Sequence, residues 1–410
     1  MEKSNSLCVV MGVIGLGARG SSIIKMLAKM KDVRIKYLCD IYKDRTEAAQ
    51  ASVFHYTGYK PDIVTDYKVI LADEQVQAVL ILTSWETHIK MAVEAMNSGK
   101  YAGIEVGGAY DIKDCFSLVE AYENTGIPCM MLENCCYGKY ELMVKNMVEK
   151  GMFGEIIHCS GGYMHDLRKE VAYGNENRHY RLRNYISRNC DNYPTHELGP
   201  IAKILKINKG NRMLSVYSIS SKARGLSHFI HEEKKDDLDL YNTVFKQGDI
   251  ITSVIRCLNG ETITLTLDTT LPRFYSRGFS ISGTKARYQE DGNLIFIDKK
   301  HNNFHFLSRL FYNNAALYLR RYMHPIWKRF KNEGVKGGHG GMDYLVLRAF
   351  LEAVRDRTET PIDVYDSASW MAITALSEKS IIEDSPIQIP DFTNGKWKDR
   401  KPFEGKYSLD

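Results

Sequence analysis

Tyr193 and His196 stand three residues apart in the run Tyr193-Pro194-Thr195-His196-Glu197-Leu198-Gly199-Pro200. That spacing is close to one helical turn, so phenol and imidazole face a single ligand if the segment opens a helix after Pro194. A second pair, Tyr163 and His165 in Gly162-Tyr163-Met164-His165-Asp166, is two residues apart and shares one face of an extended strand. Phenol and imidazole serve as acid or base once neighbouring charge lowers their pKa. Arg181, Arg183 and Arg188 lie between the two pairs. A lone histidine is more often structural than catalytic, but two such pairs flanking an arginine-rich stretch indicate proton transfer on a substrate with acidic hydroxyls, for which a sugar is the natural class.

Near the start, Gly15-Leu16-Gly17-Ala18-Arg19-Gly20 follows a continuous apolar run at 8–14 and precedes helical spacing of apolar residues at 21–30. Asp40 closes the next strand, twenty residues after Gly20. In that context Gly15 and Gly17 let the backbone approach a pyrophosphate, and the helix N-terminus complements its charge. Asp40 accepts the adenosine ribose hydroxyls; its carboxylate would repel a 2′-phosphate, which favours NAD over NADP. Arg19 either touches phosphate or points to solvent.

The elements that must position these residues alternate. Strands are expected at 8–14, 33–39, 76–83, 101–106 and 128–132, with helices at 21–30, 45–51, 88–97 and 111–124 between them, giving a doubly wound parallel sheet. The loops after the later strands carry Trp85 and His88, then Glu105, Val106 and Gly107, then Glu133 and Asn134, and all three should line one crevice. Trp85 reads equally as a packing aromatic, and His88 as a helix cap. Beyond 133 a helix at 140–150 is followed by extended segments at 156–163, 213–221, 250–257, 261–269 and 278–282, a largely antiparallel open sheet covered by helices on one face. The charged stretch 231–239 reads as a solvated loop. The stretch 331–343, with Gly334, Gly337, Gly338, Gly340 and Gly341, reads as a loop able to approach a ligand, and 344–355 as a helix. The fold class is therefore α/β: an N-terminal Rossmann domain over 1–133, a C-terminal α+β substrate domain over 134–385, and a tail over 386–410.

Composition agrees with two globular domains: 410 residues, 44% of them hydrophobic, are too many for one compact core. The net charge of +5, from 55 basic and 50 acidic residues, is spread along the chain and argues against a nucleic-acid partner. Nine cysteines form no CxxC pair and read as reduced thiols of a cytoplasmic protein. No export signal is visible, and the longest apolar run, 76–82, is too short for a membrane span. Histidine and cysteine show no metal-ligand spacing, so no metal is expected.

Several segments together resemble the Gfo/Idh/MocA oxidoreductase superfamily and, within it, the NAD-dependent glycoside hydrolase family 109. They are Glu105-Val106-Gly107-Gly108-Ala109, Glu133-Asn134-Cys135-Cys136-Tyr137, Gly151-Met152-Phe153-Gly154-Glu155, Tyr163-Met164-His165-Asp166-Leu167-Arg168, Tyr193-Pro194-Thr195-His196, Leu271-Pro272-Arg273-Phe274-Tyr275-Ser276-Arg277-Gly278 and Gly338-His339-Gly340-Gly341-Met342-Asp343. The resemblance runs from about residue 9 to about 385. It implies a retaining α-N-acetylgalactosaminidase working by transient oxidation at sugar C3, elimination, water addition and re-reduction. Cofactor contacts are implied at Ala18, Arg19, Asp40, Trp85, His88, Glu105, Val106, Asn134 and Tyr193, and substrate contacts at Tyr163, Arg181, Tyr193, Thr195, His196 and Tyr275. Catalytic work then falls to His196 or Tyr193 at the C3 hydroxyl, Tyr163 near C2, and His165 at the leaving oxygen and incoming water. Sugar and inositol dehydrogenases of the superfamily carry Glu-Lys-Pro where this chain has Glu105-Val106-Gly107. The missing lysine counts against the alternative of a sugar dehydrogenase giving net NADH. Two departures from the family pattern are Glu197, a carboxylate beside His196 able to raise its pKa or touch the sugar, and Tyr180, where a tryptophan is expected. The partner implied is a small-molecule glycoside, and an exposed sheet face in the second domain makes a homodimer the expected assembly.

Overall fold

The computed structural model describes residues 8–301, 313–333 and 338–410. Strands β1 Val9–Ile14, β2 Val33–Cys39, β3 Asp62–Val64, β4 Ala78–Ile81, β5 Tyr101–Ile104 and β6 Cys129–Met131 form one sheet in the order β3-β2-β1-β4-β5-β6, every pair parallel. Every residue of β4 is buried, as the continuous apolar run requires of a strand covered on both faces. Helices Ala18–Leu27, Lys43–Thr57, Trp85–Asn97 and Ile112–Thr125 connect the strands. The order reverses between β1 and β4, which opens a crevice beyond their carboxyl ends. The sequence pattern had not revealed β3 or the helix Lys68–Ala72; three and five residues are too few to display a period.

The second sheet has eight strands: β7 Ile156–Met164, β8 Met213–Ser220, β9 Ile250–Cys257, β10 Thr262–Asp268, β11 Ser280–Gly283, β12 Ala286–Gln289, β13 Leu294–Ile297 and β14 Ile387–Gln388. Their order is β13-β12-β11-β7-β10-β9-β8-β14, antiparallel except for β7 beside β10. The segment 386–410 thus begins inside the sheet, with Ile387 opposite Val216. The helix Val364–Glu383 joins the two halves, packing against β8 on one side and against β6 and Ile112–Thr125 on the other. Trp370 in its middle is wholly enclosed. A capping box starts this helix: the Asp363 carboxylate accepts from the backbone of Asp366 while the Asp366 side chain accepts from the backbone of Asp363.

The stretch 231–239 is solvent-facing, with no buried residue, but only 234–237 lies outside helices: the rest is the end of helix Gly225–Glu233 and the start of Leu238–Tyr241, anchored by Leu226, Ile230 and Leu240 just outside the stretch. Of the glycine-rich stretch, 334–337 lies outside the described residues. Gly340 and Gly341 adopt positive φ values of 67° and 111° and turn the chain into helix Met342–Asp356. Among the described residues no helix is long and apolar enough to cross a membrane.

The first turn of the parallel sheet can be built only from glycine. Gly15 has φ +92°, and a Cβ there would lie 2.6 Å from the Leu82 carbonyl; a Cβ on Gly20 would lie 2.2 Å from the Gly15 oxygen. Gly15→Ala is therefore expected to remove about 1–3 kcal/mol of stability, measured by urea unfolding; an unchanged midpoint would refute the strain argument.

Candidate active site

At the end of β2 the Asp40 carboxylate is pinned against the glycine turn. Oδ2 accepts from the Leu16 backbone N–H at 2.7 Å and Oδ1 from that of Tyr42 at 2.9 Å. Arg19, on the first turn of helix Ala18–Leu27, does not simply point to solvent. Its Nε donates to Glu105 Oε2 at 2.8 Å, and its two terminal nitrogens grip Asp343 at 2.9 and 3.0 Å. Asp343 also accepts from Asn134 Nδ2 at 2.7 Å and from His339 Nδ1 at 2.8 Å. Burial would push the Asp343 carboxyl up, but hydrogen bonds from His339 and Arg19 outweigh it and hold the group well below the usual carboxylate range. The same bond from the other side raises the His339 imidazole, against its partial burial.

Val106 is buried, and Gly107 lies directly on Trp85: a Cβ at 107 would fall 2.2 Å from Trp85 Cδ1. His88 is turned inward, its Nε2 2.8 Å from the Thr83 carbonyl, where it fixes the β4 loop.

Both Tyr/His pairs converge. Helix Thr195–Ile204 starts after Pro194, so Tyr193 stands at its mouth and His196 in its first turn, with ring centroids 4.7 Å apart and planes at 86°. The last residues of β7 bring the Tyr163 ring to 4.4 Å from Tyr193 and 5.3 Å from His196. Tyr163 Oη lies 3.0 Å from His165 Nδ1, and Tyr275 stands over His165 at 5.1 Å. Arg181 closes the group, its guanidinium 5.0 Å from the Trp85 ring and 5.1 Å from Tyr193. Its Nε is 2.9 Å from Glu170 Oε1 without hydrogen-bond alignment, and its buried Nη1 has no partner. Tyr180 stands edge-on to Trp85 at 4.7 Å.

Not every expected residue reaches this cluster. Thr195 is fully enclosed, with its hydroxyl against the Glu133 carboxylate. Arg183 and Arg188 point away, to Glu86 and Glu378.

Burial pushes the Tyr163 phenol up to about 12 and Tyr193 well above its ordinary value, while burial lowers the His165 imidazole. At neutral pH both phenols are therefore protonated and His165 is neutral. With the His165 proton on Nε2, Tyr163 donates to Nδ1, a path for a proton that the phenol takes from a substrate.

Sequence spacing missed one pairing, that of His196 with Glu133. Glu133, wholly buried at the start of the loop after β6, accepts from His196 Nδ1 at 2.8 Å and from the Cys135 backbone at 3.1 Å. Burial would raise this carboxyl, but the neighbouring His196 keeps it low and ionised. An ionised carboxylate only accepts, so Nδ1 carries a proton, and in the neutral imidazole the lone pair is then on Nε2. Glu133 had been placed among the crevice residues, yet 63 positions separate it from His196 and no local pattern links them.

Glu197, by contrast, is not beside the His196 imidazole. One residue further round the helix, it lies beneath Gly161 of β7, 3.0 Å from Arg277 Nη1, which also pairs with Glu141 and Glu290. The fold also assembles a donor set that sequence spacing did not show: Glu133, Cys135 and His196 each bring one potential metal ligand within 4.8 Å of the others.

The Asp343 cluster has a pH signature. His339, with its raised pKa, contributes stability that is complete below the unfolded value of about 6.5 and lost as pH rises through the folded value. Asp343 contributes above about 3.9 and loses its contribution as pH falls through its depressed value. Urea stability is expected to decline above about pH 6.5, and His339→Gln to flatten that decline; the same slope in both proteins would refute the link.

Comparison with known proteins extends this geometry. Residues 137–399 match the model of the glycosyl hydrolase 109 C-terminal domain, and residues 9–132 that of the oxidoreductase family NAD-binding Rossmann fold. An alpha-N-acetylgalactosaminidase of Tannerella forsythia is 36% identical over 420 residues, covering 95% of this chain and 87% of its own. A glycosyl hydrolase family 109 protein of Stenotrophomonas maltophilia is 36% identical, covering 97% and 93%. Among solved structures, a levoglucosan dehydrogenase in complex with NADH and levoglucosan aligns with TM-score 0.68 at 16% identity, covering 93% of this chain and 99% of its own. The myo-inositol 2-dehydrogenase of Lactobacillus plantarum aligns with TM-score 0.64 at 15% identity, covering 93% and 100%. A nicotinamide-binding domain and a hydrolase domain thus meet at the Tyr/His cluster, and the chain belongs to glycoside hydrolase family 109.

Proposed function

We propose that the protein is a retaining, NAD-dependent glycosidase acting on α-N-acetylgalactosaminides through transient oxidation at sugar C3. The observation that carries this reading is the His196 imidazole, anchored through Nδ1 on buried Glu133 and edge-on to Tyr193 and Tyr163, with Nε2 free to act as a base. The activity printed for the Tannerella relative supports the sugar.

The residues present fit NAD. At Gly17, just before the helix N-terminus, a Cβ would enter otherwise open space and meet only Arg45 Nη1 at 3.6 Å, and the Asp40 carboxylate is pinned against the same turn. Gly15, Gly17 and Ala18 would face the pyrophosphate, Asp40 the ribose, and Trp85, Glu105, Val106, Asn134 and Tyr193 the nicotinamide half. When bound, NAD⁺ supplies a reversible two-electron acceptor for sugar C3. His196 Nε2 takes the C3 hydroxyl proton, with the positive charge that results stabilised by Glu133. A ketone at C3 acidifies the C2 proton; Tyr163 removes it and passes its own proton to His165 Nδ1. His165 then protonates the departing C1 oxygen, and the same groups return the protons as water adds. Arg181, with its buried unpaired nitrogen, offers a donor to the sugar's oxygens. Retention follows when water enters from the face the aglycone left, without the carboxylate pair of ordinary glycosidases.

Release of chromophore from an aryl α-N-acetylgalactosaminide with no net NADH absorbance is the expected outcome; stoichiometric NADH from free sugar would make the protein a dehydrogenase instead. Tyr163→Phe should stop exchange of the C2 proton with solvent, and undiminished exchange would remove Tyr163 from that step. Glu133→Gln should lower kcat about 10²- to 10⁴-fold through loss of the correct imidazole tautomer, whereas wild-type turnover would show that Glu133 does not orient His196.

A further inference from the structure

Among the described residues, Glu133, Cys135 and His196 bring a carboxylate, a thiol and an imidazole together at the floor of the crevice, their donor atoms within 4.8 Å of one another. Two come from the loop after β6 and one from the first turn of helix Thr195–Ile204. Only Glu133 Oε1 and His196 Nδ1 satisfy each other there. Glu133 Oε2 is buried, with the Thr195 hydroxyl beside the carboxylate, and the enclosed Cys135 Sγ donates to Asn134 Oδ1 at 3.5 Å. The acid–base scheme uses neither of these two atoms.

We propose that this triad binds a soft divalent cation, zinc or cadmium, and that the bound ion switches the site off. Thiolate, imidazole and carboxylate are the ligand types such ions select. Zinc bonds of about 2.0 Å to nitrogen and oxygen set those atoms roughly 3.3 Å apart at a tetrahedral angle. The present 2.8 Å between Oε1 and Nδ1 needs only a small opening, so the thiol makes the main movement. Charge also balances. A dication with one carboxylate, one thiolate and one neutral imidazole sums to zero, so the enclosed site takes up the ion with no uncompensated charge. Binding breaks the Cys135 S–H bond and releases one proton to solvent. The imidazole proton moves from Nδ1, now bonded to the metal, to Nε2. His196 then presents a donor where the sugar hydroxyl needs an acceptor.

Cation binding stands on the triad alone; inhibition rests on the role proposed for His196, and one experiment separates them. The NAD-loaded protein is titrated with Cd²⁺ in a Cys8→Ser background, because Cys8 is the one half-exposed thiol among the nine. A thiolate-to-cadmium charge-transfer band that saturates at one equivalent, with one proton released per ion and glycoside release falling in parallel, is the expected result. Adding Cys135→Ser should abolish the band and weaken inhibition at least about 100-fold, since changes behind a ligand alone cost about 10- to 100-fold in affinity, while basal glycoside release persists. No band, or a band that survives Cys135→Ser, overturns the site. A saturating band with undiminished activity would keep the site and overturn the role of His196.

Discussion

The carboxylate of Asp343 holds three distant parts of the chain to one point, and the crevice takes its shape from that point. Arg19 arrives from the glycine turn, Asn134 from the loop after β6 and His339 from the turn that opens helix Met342–Asp356. Arg19 carries a second carboxylate, Glu105, from the end of β5. With His339 protonated, two cations face two anions and the cluster is neutral. Buried ion pairs add little net stability, because desolvation offsets most of their attraction, but a bidentate guanidinium–carboxylate pair tolerates few geometries. Its effect is therefore on register: the parallel sheet and the C-terminal helix meet in one way, which sets the ends of β4, β5 and β6 against the Tyr/His cluster.

The cluster shows how one environment prepares different groups for different tasks. Enclosure in aromatic surroundings keeps Tyr163 and Tyr193 protonated and His165 neutral. The same enclosure would neutralise Glu133, yet His196 beside it holds the carboxylate ionised. Arg181 lies across the rings as a fixed positive charge. Glu197 and Arg277 belong to an adjoining acidic cluster, within electrostatic reach of Cys135 and Glu133, whose one guanidinium meets three carboxylates. Burial there pushes Glu197 well up, toward its neutral form, which lessens the repulsion among the three.

The sequence was most legible where a short range suffices. Continuous apolar runs revealed five strands of the parallel sheet, and the glycine turn and Asp40 fell where their spacing indicated. The convergence of Tyr163, His165, Tyr193 and His196 could be anticipated because each pair is local. What escaped were relations across long separations. Arg19 meets Asp343 after 324 positions and His196 meets Glu133 across 63, and neither pairing leaves a periodic trace. In the charged stretch 231–239 the solvation was legible and the helix ends were not, because the buried residues that anchor those ends, Ile230 and Leu240, lie just outside it.

Gly107 bears on how this site relates to those of the superfamily's dehydrogenases. Its backbone, at φ +147°, lies far from the value near −65° that a proline ring imposes. Its bare Cα rests on the Trp85 indole, and the neighbouring Gly108 is equally hemmed in, a Cβ there falling 1.8 Å from Thr374 Oγ1. Exchanging Val106 alone for lysine would put an ammonium into a buried position without the proline that follows it in those enzymes. Exchanging Gly107 alone would drive atoms into an aromatic ring. The loop after β5 and the indole packed on it therefore act as one unit, and a change of sequence at 106–107 calls for a matching change at Trp85.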